Sequence, residues 1–229
     1  MVTTSKRHRG NIEKVDRTRV YSVEEGITAL RAASPATFDE TLEVAVNLGI
    51  DPKKSDQAVR GAVSLPHGTG KTKRVIAFVK DPAKQEEARA AGAVEVGDDD
   101  LVKRVADGWT DFDVAVSSPD MMGKVGRLGK VLGPQGKMPT PKSGTVTPNV
   151  AKAVSEFSAG KVEFRADAGA TVHAPLGRRS FDDQQLVENL RAFLGAVIAM
   201  KPASAKGAYI KGVHLSTTMG PGVAVDATA

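Results

Sequence analysis

The apolar residues of this chain change their period twice, and that double change narrows the possible folds more than any single motif. Between Phe38 and Ile50, the residues Phe38, Leu42, Val44, Val46, Leu48 and Ile50 alternate with Asp39, Thr41, Glu43 and Asn47. Such alternation marks a strand with one buried face and one face left to solvent or a partner. A polar turn over Asp51 to Asp56 leads to a returning strand at Val59 to Leu65. From Arg74 the pattern differs. Val75 to Val79, Ala93 to Val96 and Phe112 to Val116 are short apolar strands, separated by helices at Pro82 to Ala91 and Asp98 to Ala106. Near-continuous apolar strands alternating with helices predict a small parallel sheet covered on both faces. A short helix over Pro148 to Phe157 ends at Gly160, and then the first pattern returns. Lys161 to Ala166 alternates, with Thr171 to Ala174 as its expected hairpin partner. Asp182 to Met200 carries the apolar stripe Leu186, Leu190, Phe193, Leu194, Val197 and Ile198 of an amphipathic helix, which Pro202 stops. Tyr209 to Thr218 is expected to be the final strand.

Toward the N-terminus, Ser22-Val-Glu-Glu25 has the spacing of a capping box. It opens a helix with Val23, Ile27 and Leu30 on one face and Ser34-Pro35 as its stop. The basic arm before it is expected to be flexible or draped on a partner. Because the two ends share one pattern and the middle another, the chain is expected to form an α/β protein of two domains. Residues 1–67 and 160–229 would build a discontinuous domain with an antiparallel sheet and packed helices. Residues 68–159 would be an inserted domain, with the two crossings near Gly68 and Gly160 as a hinge.

Composition sets the bounds. The chain has 229 residues and a net charge of +5, with 4% aromatic residues, so its core must be mainly aliphatic. Charge distribution says more than the sum. Met1 to Val20 carries six basic against two acidic residues, and Lys84 to Asp113 carries four against nine. There is no cysteine, which excludes disulfides and thiolate metal sites. No signal-peptide pattern and no apolar run of membrane-spanning length is present. A cytoplasmic protein without a membrane partner is expected.

Catalytic motifs fail on spacing. Gly68-Thr-Gly-Lys71-Thr72 lacks the outer glycine of a phosphate-binding loop, since Leu65 stands there, and a strand rather than a helix follows. Gly123, Gly126 and Gly129 are not spaced as a dinucleotide fingerprint. His8, His67, His173 and His214 form no pair at metal-ligand spacing. No nucleophile elbow occurs, and no cofactor is expected. Asp98-Asp-Asp100 suits a solvated helix start better than a metal.

The segment Met121 to Ser155 contains no acidic residue, six glycines and six basic residues: Lys124, Arg127, Lys130, Lys137, Lys142 and Lys152. Close backbone approach with open cations suits a polyanion such as RNA. A solvated glycine-rich loop fits the composition equally well. The end of the last strand, Ser216-Thr217-Thr218-Met219-Gly220, is a second candidate. Its hydroxyls can bond phosphate or ribose, and its methionine can pack on a base or sugar.

Within that segment, GRLGKVLGPQGKMPTPKSGTV (Gly126 to Val146) closely resembles the signature of the large-subunit ribosomal protein L-one family. FDETLEVAVNLGIDPKKSDQAVRGAVSLPHGTGK (Phe38 to Lys71), Asp107 to Asp113, Lys161 to Arg165, Val172 to Pro175 and Ser216 to Pro221 resemble family motifs in the same order. The resemblance implies two α/β domains, the second Rossmann-like and inserted into the first. It implies a structural, non-enzymatic constituent of the large ribosomal subunit that binds the stalk region of its rRNA. Further implied roles are help in releasing deacylated tRNA from the exit site and repression of its own mRNA. No obligate protein oligomer is implied. Carried onto this chain, the principal RNA contacts would be Phe38, Thr41, Glu43, Ser216, Thr217, Thr218, Met219 and Gly220, with Lys161, Arg165 and His173 beside them. Lys124, Arg127, Lys130, Lys137 and Lys142 would be secondary contacts. Thr37 stands where many members have a basic residue. The alternative is a nucleotide-binding enzyme using the inserted domain.

Overall fold

The computed structural model describes residues 5–33 and 36–226. In chain order its helices and strands are α1 (Lys6–Lys14), β1 (Val20–Tyr21), α2 (Val23–Ala32), β2 (Thr41–Leu48), β3 (Arg60–Val63), β4 (Val75–Phe78), α3 (Pro82–Ala90), β5 (Glu95–Gly97), α4 (Asp99–Ala106), β6 (Val114–Ser117), α5 (Met122–Val125), α6 (Gly129–Leu132), α7 (Val150–Ser158), β7 (Val162–Arg165), β8 (Thr171–Arg178), α8 (Asp183–Ala199), β9 (Ile210–Thr217) and β10 (Gly222–Val225). The chain divides into two compact units, 1–70 with 162–229, and 71–161.

The outer unit is built on a five-stranded sheet in the order β1-β10-β9-β2-β8. Its centre is β2, antiparallel to both β9 and β8. Leu42, Val44, Val46 and Leu48 of β2 are buried, while Glu43 and Asn47 are exposed. One core therefore lies on one face, where Ile27 and Leu30 of α2 meet Leu190, Phe193 and Val197 of α8. Burying a side chain of this kind is worth roughly 1.5–3 kcal/mol, so the apolar stripe outweighs local helix propensity here. The Ser22 capping box is present: its hydroxyl accepts from the Glu25 N–H at 3.2 Å, and the Glu25 carboxylate accepts from the Ser22 N–H. A two-stranded ribbon, β3 with β7, adds Phe164 to the same core, edge-on to Phe193 at 5.3 Å.

The inserted unit has a parallel three-stranded sheet in the order β5-β4-β6. Every residue of β4 is buried because both faces are covered. Val75, Ala77 and Val79 pack with Val154 and Phe157 of α7, whereas Ile76 and Phe78 pack with Leu101 and Val105 of α4 and with Met121, Val125, Leu128 and Leu132.

Four expectations need correction or completion. The basic arm contains a helix, α1, capped by the Ser5 hydroxyl on the His8 N–H at 3.3 Å, so it is ordered over Lys6–Lys14. Strand β8 runs on to Arg178, and its long partner is β2 rather than β7, to which a single bridge, Ala166 to Val172, joins it. A further strand, β10, follows the turn after Thr218, so Tyr209 to Thr218 is not the last. Its pairing with the two-residue β1 also escapes a periodicity argument, because two residues define no period. The expected helix stop at Ser34-Pro35 lies outside the described residues.

Candidate nucleic-acid interface

At one end of the large sheet, the entry to β2 meets the exit from β9. Leu42 pairs with Thr217 and Glu43 with Ser216. Beyond the ladder, the Thr218 N–H donates to the Thr41 carbonyl at 3.1 Å, and the Thr41 N–H donates to the Thr218 hydroxyl at 3.0 Å. These bonds bring Phe38 and Met219 to the same sheet end, where they are 52% and 50% exposed. Large apolar side chains that exposed are informative when they share one edge with hydroxyls and backbone donors. Glu43 and Ser216 lie side by side on the open face just behind them.

The device that holds this end together is a residue that sequence reasoning missed. Glu40 is 1% exposed, and its carboxylate accepts from the Met219 N–H at 3.0 Å and from Arg179 Nη1 at 3.2 Å. Arg179 in turn donates through Nη2 to the carbonyls of Arg31 and Ala33 at 2.7 and 2.9 Å, closing the end of α2. Its own N–H donates to the Glu40 carbonyl at 2.7 Å. A buried carboxylate needs a charge partner and further donors, and Glu40 has both. Next to it, Ser180 holds both oxygens of Asp39, with its hydroxyl at 2.8 Å and its N–H at 3.2 Å. The only sequence signal was acidic Glu40 breaking the alternation just before the strand, and its partner is 139 positions away.

Not every expected contact residue reaches this surface. Thr41 and Thr217 are 9% and 5% exposed, and Thr217 points to the core side opposite Leu42. The strand period explains it: neighbours on β9 face opposite ways, so Ser216 and Thr217 cannot share a face. Gly220 has an intramolecular reason to be glycine, since a Cβ there would run into the Thr217 hydroxyl. Lys161 falls in the inserted unit, where Nζ pairs with Glu156 at 2.7 Å and lies over the Phe157 ring. Arg165 and His173 are exposed on the outer unit, away from the sheet end. His173 sits 3.6 Å from Asp167, whose carboxyl is held below its usual range first by the Thr171 N–H and then by the Gly169 N–H and His173. Thr37 is exposed beside Phe38.

The glycine-rich segment splits in two. Residues 119–132 form successive short helical turns that bury Met121, Val125, Leu128 and Leu132, while nothing lies within 4 Å of a Cβ built on Gly123, Gly126 or Gly129. The signature then closes on itself. Hydroxyls of Thr140, Ser143 and Thr145 bond one another at 2.7 and 3.0 Å, Gly144 turns the chain at φ +73°, and the Ser117 N–H donates to the Thr145 carbonyl at 2.8 Å. Of the five expected secondary contacts, Lys124 is held by Asp99 at 2.5 Å and by Asp98 at 3.4 Å. Lys137 donates to the Thr110 carbonyl at 2.9 Å. Arg127, Lys130 and Lys142 remain exposed. The Gly68 to Thr72 stretch is followed by β4 and not by a helix, so no phosphate-binding loop forms.

Comparison with known proteins adds the family. Residues 30–221 match the Ribosomal protein L1p/L10e family. The chain is 54% identical over 225 residues to a protein of Thermobifida fusca (strain YX) named large ribosomal subunit protein uL1, covering 98% of this chain and 95% of that one. A protein of the same name from Clavibacter sepedonicus is 55% identical over 222 residues, 97% of each chain.

Proposed function

The chain belongs to the Ribosomal protein L1p/L10e family, and from that premise we propose that the outer unit binds the stalk region of large-subunit rRNA through its β2–β9 sheet end. As a member it is a structural constituent of the large ribosomal subunit and not an enzyme, which sets aside the nucleotide-binding alternative. One observation carries the RNA reading: Phe38 and Met219 are exposed together over a backbone locked by the buried Glu40–Arg179 pair. Apolar side chains on a rigid frame suit the unstacked bases and sugars of a folded RNA, and the free hydroxyl of Ser216 suits ribose or phosphate. Phe38, Met219, Thr218 and Ser216 make the direct contacts in this reading. Thr41, Thr217 and Gly220 shape the turn that presents them. The exposed cations Arg127, Lys130 and Lys142 add sequence-independent attraction.

The same sheet end, offered the same RNA shape elsewhere, serves for repression of the protein's own mRNA. Assistance to deacylated tRNA leaving the exit site is the second ribosomal role of this reading. The test is competition. A transcript of the rRNA stalk region should bind tightly and be displaced by the leader of the protein's own message, and crosslinks should map to the β2–β9 end. Binding equal to that of an unrelated folded RNA would overturn the reading.

A further inference from the structure

The ribbon of β3 and β7 carries an arrangement that strand pairing normally avoids. Arg60 and Arg165 are directly opposite partners. Like charges facing each other across an antiparallel pair are destabilising, because the two Cβ atoms stand only about 4.5–5.5 Å apart. Their neighbours Gly61 and Phe164 point into the core, so both arginines share the outward face. Other arginines of the outer unit are neutralised: Arg19 by Glu25, Arg31 by Asp183, Arg179 by Glu40 and Arg191 by Glu24. Among the described residues, neither Arg60 nor Arg165 has an ion-pair or hydrogen-bond partner for its side chain. The nearby carboxylates do not change this. Glu163 is one pair along the ribbon, opposite Ala62, and is engaged elsewhere. Asp167 is taken up by the Thr171 and Gly169 N–H groups and by His173.

The face continues beyond the ribbon. Arg165 precedes and His173 follows the Ala166–Val172 bridge, so the two neighbour each other where ribbon and large sheet join. His173 is in register with Ala45, and Ala45 with His214. Two guanidinium forks therefore open a row of nitrogen donors across the uncovered side of the outer unit, with only the small Ala45 between the histidines.

We infer that Arg60 and Arg165 form a phosphate clamp, a second RNA-backbone site separate from the β2–β9 end. Two adjacent forks can take one phosphate group, or two successive ones, by bidentate hydrogen bonds. An occupying phosphodiester removes the repulsion that the free protein carries. The clamp rests on the rRNA-binding reading and extends it: the sheet end discriminates, and the clamp anchors the backbone without reading sequence.

The test uses the full chain and a transcript of the rRNA stalk region, with affinity measured across a salt titration. Arg60→Gln with Arg165→Gln should lower affinity on the order of tenfold near physiological salt. It should also reduce the slope of log affinity against log salt by about 1.8, that is about 0.9 for each lost phosphate contact. Preference for the stalk over an unrelated RNA should not change. Thermal stability of the outer unit should hold or rise, because a like-charge pair has been removed. A purely structural role for these arginines predicts the reverse. The double lysine variant, which keeps the charges, should recover most of the slope. Wild-type affinity and slope in the folded double glutamine variant would overturn the clamp while leaving the sheet-end reading intact. Stalk binding that is insensitive to salt in the unaltered protein would overturn both.

Discussion

The two units solve the same packing problem in opposite ways. In the inserted unit, a parallel sheet is covered on both faces, so β4 is buried along its whole length and its residues serve two cores in alternation. In the outer unit, an antiparallel sheet is covered on one face only. The other face of β2, β8 and β9 carries Glu43, Ala45, Asn47, His173, His214 and Ser216. Covered strands spend every side chain on stability and have none left over to meet a partner. Strands with one open face hold the fold with half their residues and offer the other half. The exposed cations of the inserted unit lie accordingly on its connections, at Arg127, Lys130 and Lys142, and not on its sheet.

Spectroscopy can separate the units, because the single tryptophan, Trp109, belongs to the inserted one and both tyrosines, Tyr21 and Tyr209, to the outer one. The largest expected effect is from Phe157→Ala, which empties a fully buried site on one face of the parallel sheet. It should cost about 4 kcal/mol, seen in the tryptophan-monitored transition, with stalk rRNA affinity kept at the native temperature. Lost affinity in the folded variant would mean that the RNA surface depends on the covered sheet. Next comes Glu40→Ala, which leaves Arg179 and the Met219 N–H without their acceptor. About 3 kcal/mol should be lost from the tyrosine-monitored transition, together with stalk specificity. A shift confined to the tryptophan signal would contradict the assignment of that pair to the outer unit's frame.

A smaller change is expected for Met219→Ala. It should weaken stalk binding by roughly 1–3 kcal/mol without altering the salt slope, since no charge is removed. An unchanged affinity would move the discriminating contact elsewhere along the sheet end.

The smallest effect is on acid stability. Asp16, Asp167 and Glu188 in the outer unit and Asp99 in the inserted one have carboxyls held below their ordinary values of 3.8 and 4.5. The leading causes are the Thr18 hydroxyl, the Thr171 N–H, the His67 ring and the Lys124 ammonium, respectively. A depressed folded value gives stability that is present above the unfolded pKa and fades as pH falls toward the folded one. Both transitions should therefore weaken below about pH 4.5, the tyrosine one somewhat more. Asp99→Asn should flatten the tryptophan transition's response alone, and a matching change in the tyrosine signal would show that the units do not unfold separately.

Periodicity made much of this legible. The alternation of β2, the unbroken apolar run of β4, the stripe of α8 and the capping box at Ser22 are local patterns, each set by residues within a few positions of one another. The family signature was legible too, though its meaning was not. Thr140, Ser143 and Thr145 look like open hydroxyls in sequence, and in the fold they satisfy one another beside β6. Lys124 and Lys137 look like free cations and are already engaged.

What sequence alone determined is the alphabet of elements and the contrast between a one-faced and a two-faced sheet, because hydrophobic period reports burial directly. Tertiary structure decided which contact residues face outward and what holds them. Register sets Ser216 out and Thr217 in, since one step along a strand reverses the side chain. Glu40 finds Arg179 and Met219 across 139 and 179 positions, and Arg60 meets Arg165 only because β3 and β7 pair. Encounters at that separation leave no local pattern, and they are what make the outer unit's surface.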